Sequence, residues 1–232
     1  MTVQLGIIRG ASQEEVLGKK FNIYVGISLG NKDFTKEYIK DSLDWALKHS
    51  KERTGLLIAD TLHAINYQIK DGKSIESARK KALKKGDELI VILKEIIDLL
   101  PQNKQNKIDI IRWDDIKKNP GYEESIIKIT KEFNENKEFK ESILDIIKAH
   151  FENSHVHNSP GIIQELSKYI IDELPTLLQG FTFNNIRYNC YTYPEDNILT
   201  KFIEDISNKK RFKEIHNILE IKENISVELK AV

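Results

Sequence analysis

Apolar positions along the chain alternate between short dense runs and longer stretches with helical spacing. Residues 21–28 (FNIYVGIS) form a β-branched and aromatic run ending among glycines, as a strand buried on both faces would. Over 35–50, Tyr38, Ile39, Leu43, Ala46 and Leu47 recur at the interval of one helix face. A second dense run at 56–59 leads into Asp60 and Thr61. A long helical stretch over 74–100 and a polar loop at 101–107 (PQNKQNK) precede a third strand at 108–113. Helical spacing returns over 123–133, 137–151 and 161–178. Late strands are predicted at 186–193 and 226–229, with a helix over 197–207 between them. Repetition of strand and helix on this scale predicts an α/β fold, a mostly parallel sheet flanked by helices on both faces. Chemistry in such sheets collects beyond the carboxyl ends of the strands. The residues following Ile27, Ala59 and Trp113 are therefore the first places to look.

Composition narrows the setting. No Ser/Gly linker and no internal repeat interrupts residues 1–232, which predicts a single domain. Lys and Arg number 36 and Asp and Glu number 36, so a nucleic-acid partner would have to be held by charge clustered on one face. The lone cysteine, Cys190, cannot close an internal disulfide, and the first twenty residues lack the basic and long apolar regions of a signal peptide. Both point to a cytoplasmic protein. No window is apolar enough to span a membrane, and neither a membrane nor DNA is expected as a partner.

Gly26-Ile27-Ser28-Leu29-Gly30 ends the first buried run. The plain reading is a strand–turn–helix connection in which Ser28 or Asn31 caps the helix. The chemical reading is a serine nucleophile at the rim of the sheet, with glycines allowing a substrate close to the backbone and a helix start favouring developing negative charge. The pattern also fits the G-x-S-x-G elbow of serine hydrolases, and His216 is late enough in the chain to serve as their base. Few residues precede Ser28, however, where a hydrolase would already have built several strands. Neither the phosphate-loop nor the dinucleotide glycine pattern is present, so ATP and NAD are not expected. His155 and His157 lie in a polar stretch without a nearby cysteine or carboxylate cluster, and no metal is expected there.

Tyr169 and Glu173 are four apart on the helix over 161–178 and share a face beside its leucine stripe. A carboxylate in that position needs a cation or hydrogen-bond donors to stay ionised, and a ligand's ammonium would supply both. The plain alternative is that Glu173 points to solvent or pairs with Lys168 or Arg187. Downstream, Tyr191, Tyr193 and Asp196 follow a strand, where a tyrosine near a carboxylate can pass protons.

Five segments, GISLGNKDF, LLIADT, PGYEES, SKYIIDELP and CYTYPED, resemble in order and separation the cyclodipeptide synthases. The resemblance runs over residues 21–229. It implies a Rossmann-like domain similar to the catalytic domain of class Ic aminoacyl-tRNA synthetases, without the ATP site. It also implies an activity: two aminoacyl-tRNAs yield a cyclic dipeptide, a 2,5-diketopiperazine, with neither ATP nor metal. By the resemblance Ser28 receives the first aminoacyl group, and Tyr169 and Glu173 hold its ammonium. Asn31 and Tyr122 match further active-site positions. Tyr193 matches a proton-relay tyrosine and Asp196 a supporting carboxylate, although alignment on the Cys-Tyr pair selects Tyr191 instead. Tyr193-Pro194 resembles one branch of the family and Asn31 the other.

A basic helix that grips tRNA is also implied, and Arg79, Lys80, Lys81, Lys84 and Lys85 supply one, with Lys73 placed on the same face; a merely solvated lysine-rich helix is the alternative. Position alone suggests Tyr24, Gly26, Leu57, Ala59 and Trp113 as lining for the first amino-acid pocket.

Overall fold

The computed structural model describes residues 2–151, 160–221, 223 and 225–232. In chain order the strands are β1 (Val3–Arg9), β2 (Ile23–Ile27), β3 (Thr54–Ile58), β4 (Ile108–Arg112), β5 (Phe181–Phe183), β6 (Ile186–Tyr188), β7 (Cys190–Tyr193) and β8 (Ile225–Ala231). The helices are α1 (Gln13–Leu17), α2 (Lys36–His49), α3 (Ala64–Lys70), α4 (Ile75–Asp98), α5 (Gln102–Gln105), α6 (Trp113–Ile116), α7 (Tyr122–Glu135), α8 (Lys137–Phe151), α9 (Pro160–Gln179), α10 (Ile198–Ser207) and α11 (Lys213–Ile218). A six-stranded sheet runs in the order β1-β8-β7-β2-β3-β4. Its four inner pairings are parallel, and β1 alone adds antiparallel to β8. The expected mostly parallel α/β architecture is what forms.

Alternation along β2 divides the interior into two layers. Ile23, Val25 and Ile27 face one layer, where Leu43 and Ala46 of α2 and Leu93 and Ile96 of α4 pack. Tyr24 faces the other, shared with Leu166, Ile170 and Leu174 of α9 and with Tyr191 and Tyr193 of β7. Ser28 continues the second set, because it lies four residues beyond Tyr24 on the same alternation.

The structure corrects the expected elements at five places. The predicted strand over 186–193 is two strands. Residues 186–188 pair with β5 in a separate hairpin whose two-residue turn, Asn184-Asn185, has φ of 48° and 64°, as a primed turn requires. Only residues 190–193 enter the main sheet. Residues 3–9, for which the pattern predicts no element, are the edge strand β1. The loop at 101–107 contains the single turn α5, and Trp113 opens α6 rather than ending β4. Lys73 precedes α4, whose N-cap is Ser74, and so lies off the helix face it was assigned to.

The carboxyl ends of β3 and β4 are tied by a buried ion pair. Asp60, with no exposure, accepts from Arg112 Nε at 2.6 Å and from the Thr61 amide at 2.7 Å. The same arginine donates to Asp87 and to the Leu83 carbonyl of α4. Gly86 is what lets α4 approach this pair, since a Cβ there would stand 2.6 Å from the Asp60 carboxylate. Replacing Asp60 by Ala removes the buried partner of Arg112, which keeps only Asp87 and the Leu83 carbonyl, and should destabilise the protein by about 2 kcal/mol, measured by urea unfolding.

Candidate active site

The serine, the tyrosine and the glutamate meet. Ser28 follows β2 directly, half-buried, and its hydroxyl is close enough to the Tyr169 phenol of α9 to lower that phenol's proton affinity. Burial and the neighbouring Glu173 charge both push Tyr169 well above the ordinary tyrosine value, and the contact with Ser28 works against them. Glu173 itself is pushed up to about 7 by burial. Its charge is felt by Tyr24, Tyr122, Tyr169 and Tyr191, so it is set among four phenols. Among the described residues no cation pairs with it: Lys168 instead bridges to Glu165. Glu173 is half-buried, and the expected pairing with Lys168 or Arg187 does not form.

Backbone carbonyls of α9 hold two of those phenols. Tyr122 donates to the Asp172 carbonyl at 2.8 Å, and Tyr24 to the Thr176 carbonyl at 3.4 Å. Tyr24 also packs edge-on against Phe181 and lies 6.0 Å from the Tyr191 ring. Above Tyr24 on the same face of β2, a Cβ on Gly26 would meet nothing within 4 Å, so open space separates the Tyr24 ring from Ser28. Leu57, Ala59 and Trp113 are buried in the same cluster. A cleft of about 630 Å³ lies outside this group, lined by Tyr122, Thr176, Gln179 and Arg187 but not by Ser28, Tyr169 or Glu173.

Two side chains that sequence reasoning passed over join the site. His63, in the turn after Asp60, stands 6.5 Å edge-on from the Tyr169 ring, and its Nε2 would be 3.8 Å from a Cβ on Gly30. Burial, aided by Lys70, His150 and Lys81, holds it down at about 4, so it is neutral. Asn66 contacts Nδ1 at 3.1 Å, which leaves the proton on Nε2, the nitrogen nearer the Gly30 loop. Its place after the end of β3 was the available signal. Arg9, from β1, reaches Tyr193 Oη at 2.6 Å and Asp196 at 2.9 Å. Burial pushes Tyr193 up to about 12, with Arg9 pulling the other way and Asp196 and Glu228 adding to the rise. Nothing local in the sequence announced this arginine.

Other expected residues stand apart from the cluster. Asn31 is exposed and its side chain accepts from the Asp33 amide, closing its own turn. Thr35, not Ser28 or Asn31, caps α2. On α4, Arg79 pairs with Asp114, Lys81 with Asp71, and Lys85 with Glu88, while Lys80 and Lys84 are exposed without an ion pair among the described residues. His155 and His157 lie outside the described residues.

The sequence matches the family model described as cyclodipeptide synthase over residues 10–214. The chain belongs to the cyclodipeptide synthase family. These enzymes make cyclodipeptides from aminoacyl-tRNAs. No curated protein sequence matches it significantly. Among solved structures, a cyclodipeptide synthase from Staphylococcus haemolyticus is 19% identical with a TM-score of 0.76, covering 99% of this chain and all of that one (100%). A Mycobacterium tuberculosis protein, described as demonstrating that cyclodipeptide synthetases are related to type I tRNA synthetases, is 18% identical at a TM-score of 0.67, covering 84% and 83%. A cyclodipeptide synthase from Candidatus Glomeribacter gigasporarum, bound to Phe-tRNAPhe, is 16% identical at 0.63, covering 89% and 86%. None of the described helices is long and apolar enough to cross a membrane.

Family membership and geometry together remove the hydrolase alternative. A nucleophile elbow places a strained serine directly ahead of a helix. Here Ser28 is not among the residues with positive φ, and α2 begins only at Lys36. His216 is on α11, and among the described residues its buried Nδ1 lacks the carboxylate partner that a hydrolase's triad would supply.

The Glu173 carboxyl makes a pH prediction for this cyclodipeptide synthase. An ammonium ligand needs it ionised, so affinity should fall about tenfold per pH unit below about 7, and fall again once the ligand's amine deprotonates above about 8. Calorimetric titration with an amino-acid ester across pH 5.5–9, at roughly half-unit steps, checks this. Stability has the opposite sense. The unfolded glutamate ionises near 4.5 and the folded one near 7, so folding loses stability as pH rises through that window. Glu173→Gln should therefore raise the melting temperature at about pH 8 while abolishing the titration.

Proposed function

We propose that this enzyme works by ping-pong acyl transfer through an aminoacyl ester on Ser28, drawing on two aminoacyl-tRNAs and on neither ATP nor metal. The observation that carries the reading is the Ser28 hydroxyl beside a tyrosine whose helical neighbour is a carboxylate without a counterion among the described residues. Ser28 attacks the ester carbonyl of the first aminoacyl-tRNA, and the tRNA 3′-oxygen leaves with the proton. Ester is exchanged for ester, so little free energy is needed. Glu173 and the Tyr169 phenol hold the aminoacyl ammonium meanwhile, and Tyr122 walls the same space. The amine of the acyl-serine attacks the ester carbonyl of the second aminoacyl-tRNA, whose 3′-oxygen leaves with the amine proton, and the dipeptidyl ester so formed on Ser28 closes on itself. Keeping amine and ester in one cavity makes each bond formation effectively intramolecular, a gain that reaches several kcal/mol. Tyr193 is the proton relay in the last step, with Asp196 beside it. It lies at the outer end of β7, at the level of Gly26, whereas Tyr191 pairs with Tyr24 one layer deeper.

The relative bound to Phe-tRNAPhe supports tRNA as the acyl carrier. Lys80 and Lys84, which make no ion pair among the described residues, are the contacts to the phosphate backbone, assisted by Arg79, Lys81 and Lys85 when their weak surface pairs open. A cytoplasmic location follows from the substrate.

Ser28→Ala should eliminate both the labelled acyl-enzyme and the cyclic dipeptide; persistence of a covalent adduct in this variant would refute the assignment. Charge reversal of Lys80 and Lys84 together should weaken aminoacyl-tRNA binding about tenfold or more and reduce the steepness of its salt dependence, read by filter binding at several salt concentrations. An unchanged slope would remove α4 from the RNA interface.

A further inference from the structure

Arg9 ends β1, the antiparallel edge strand that takes no part in the parallel core of the sheet. Its side chain, only 10% exposed, nonetheless reaches three groups at once. Nη1 is 2.6 Å from the Tyr193 phenol oxygen, Nη2 is 2.9 Å from Asp196, and Nε is 2.8 Å from Glu204 of α10. A guanidinium has donors and no acceptor, so the phenol must accept from Arg9, and its own hydrogen is left to donate elsewhere. Two carboxylates already balance the arginine. A clamp between β1 and α10 would need only those, and the third arm goes to the phenol.

The remaining groups that face Tyr193 are acidic or neutral. Asp196 follows β7, Glu228 and Ser226 come from β8, and the Tyr191 ring lies 5.3 Å away. Glu228 is buried and accepts from the Ile7 and Asp196 amides, each at 3.1 Å. Lys210 and Lys230 stand outside, on Glu204 and Glu228. Among the described residues Arg9 is thus the one cation hydrogen-bonded to this phenol, and negative charge developing on the oxygen would otherwise face Asp196 and Glu228.

We propose that Arg9 is a positioning residue for ring closure: it fixes the Tyr193 phenol and stabilises charge on its oxygen while that phenol passes a proton. The inference rests on the acyl-serine reading above. In the step concerned, the free amine nitrogen of the dipeptidyl ester attacks the ester carbonyl carbon. The C–N bond forms, and the C–Oγ bond to Ser28 breaks with its electron pair going to Oγ. The amine proton moves to the Tyr193 oxygen while the Tyr193 proton moves to Oγ, so both side chains end as they began. Arg9 gives up no proton.

Arg9→Lys keeps a cation for Asp196 and Glu204, but one ammonium cannot reproduce the three-armed fork. With labelled aminoacyl-tRNA, this variant should form acyl-Ser28 at a rate and a KM within about twofold of wild type, while cyclic dipeptide release slows about tenfold or more. Arg9→Gln, which keeps donors without charge, should slow closure further at unchanged acylation. Equal slowing of both half-reactions in the lysine variant would show a purely structural arginine and overturn the proposal, as would closure at the wild-type rate. A wild-type enzyme that makes cyclic dipeptide but never labels Ser28 would instead overturn the acyl-serine reading.

Discussion

A buried carboxylate that has no counterion of its own constrains everything around it. Glu173 is held among Tyr24, Tyr122, Tyr169 and Tyr191, and its proton affinity rises because burial favours the neutral acid. An internal lysine or arginine would stabilise the fold at that point and close the site to an incoming ammonium. The chain places Lys168 on Glu165 and keeps Arg9 on the far strand with Asp196 and Glu204. The unmet demand for a cation is therefore a property of this helix face, and it sits next to the hydroxyl that could receive an acyl group.

Helix α9 supplies more than the carboxylate. Its Asp172 and Thr176 carbonyls take the hydroxyl hydrogens of Tyr122 and Tyr24, so the rings that wall the cavity are oriented by the backbone carrying Glu173. Ser28 comes from the opposite wall. Alternation along β2 puts Tyr24, Gly26 and Ser28 on one face, and the missing side chain at Gly26 leaves the space between floor and nucleophile. A parallel sheet suits this arrangement because its strands end together, so groups from β2, β3 and β7 converge although they are far apart in sequence.

The architecture was legible where burial leaves a period in the sequence. The dense runs of β2, β3 and β4 and the helical spacing of α2, α4 and α9 carry that signal, and the glycine-flanked serine and the tyrosine–glutamate pair lie on those elements. What was missed lacks such a signal. The strand β1 is an edge with half-exposed residues on both faces, so its pattern is diluted. The turn at Asn184-Asn185 splits one apparent strand because asparagine tolerates left-handed backbone, which a hydrophobicity pattern does not register. Arg9 reaches Tyr193 across 184 positions, and no local rule connects them. His63 was passed over because no motif in the sequence marks it. Its neutrality and its edge-on contact with Tyr169 follow from packing of the β3 turn against α9.

Zero net charge and an RNA substrate are reconciled by where the charges are used up. Along α4, three of the five cations expected at the interface already meet carboxylates of this chain, which leaves Lys80 and Lys84 to release counterions from a bound phosphate backbone. The helix is also not an independent arm. Gly86 seats it on the Asp60–Arg112 pair, and Arg112 holds the Leu83 carbonyl and Asp87, so α4 is locked to the ends of β3 and β4. Those ends carry His63 and Trp113, two walls of the cavity. On the function proposed above, an RNA backbone held by Lys80 and Lys84 would thereby be placed relative to Ser28, and delivery of the ester would be a matter of rigid geometry.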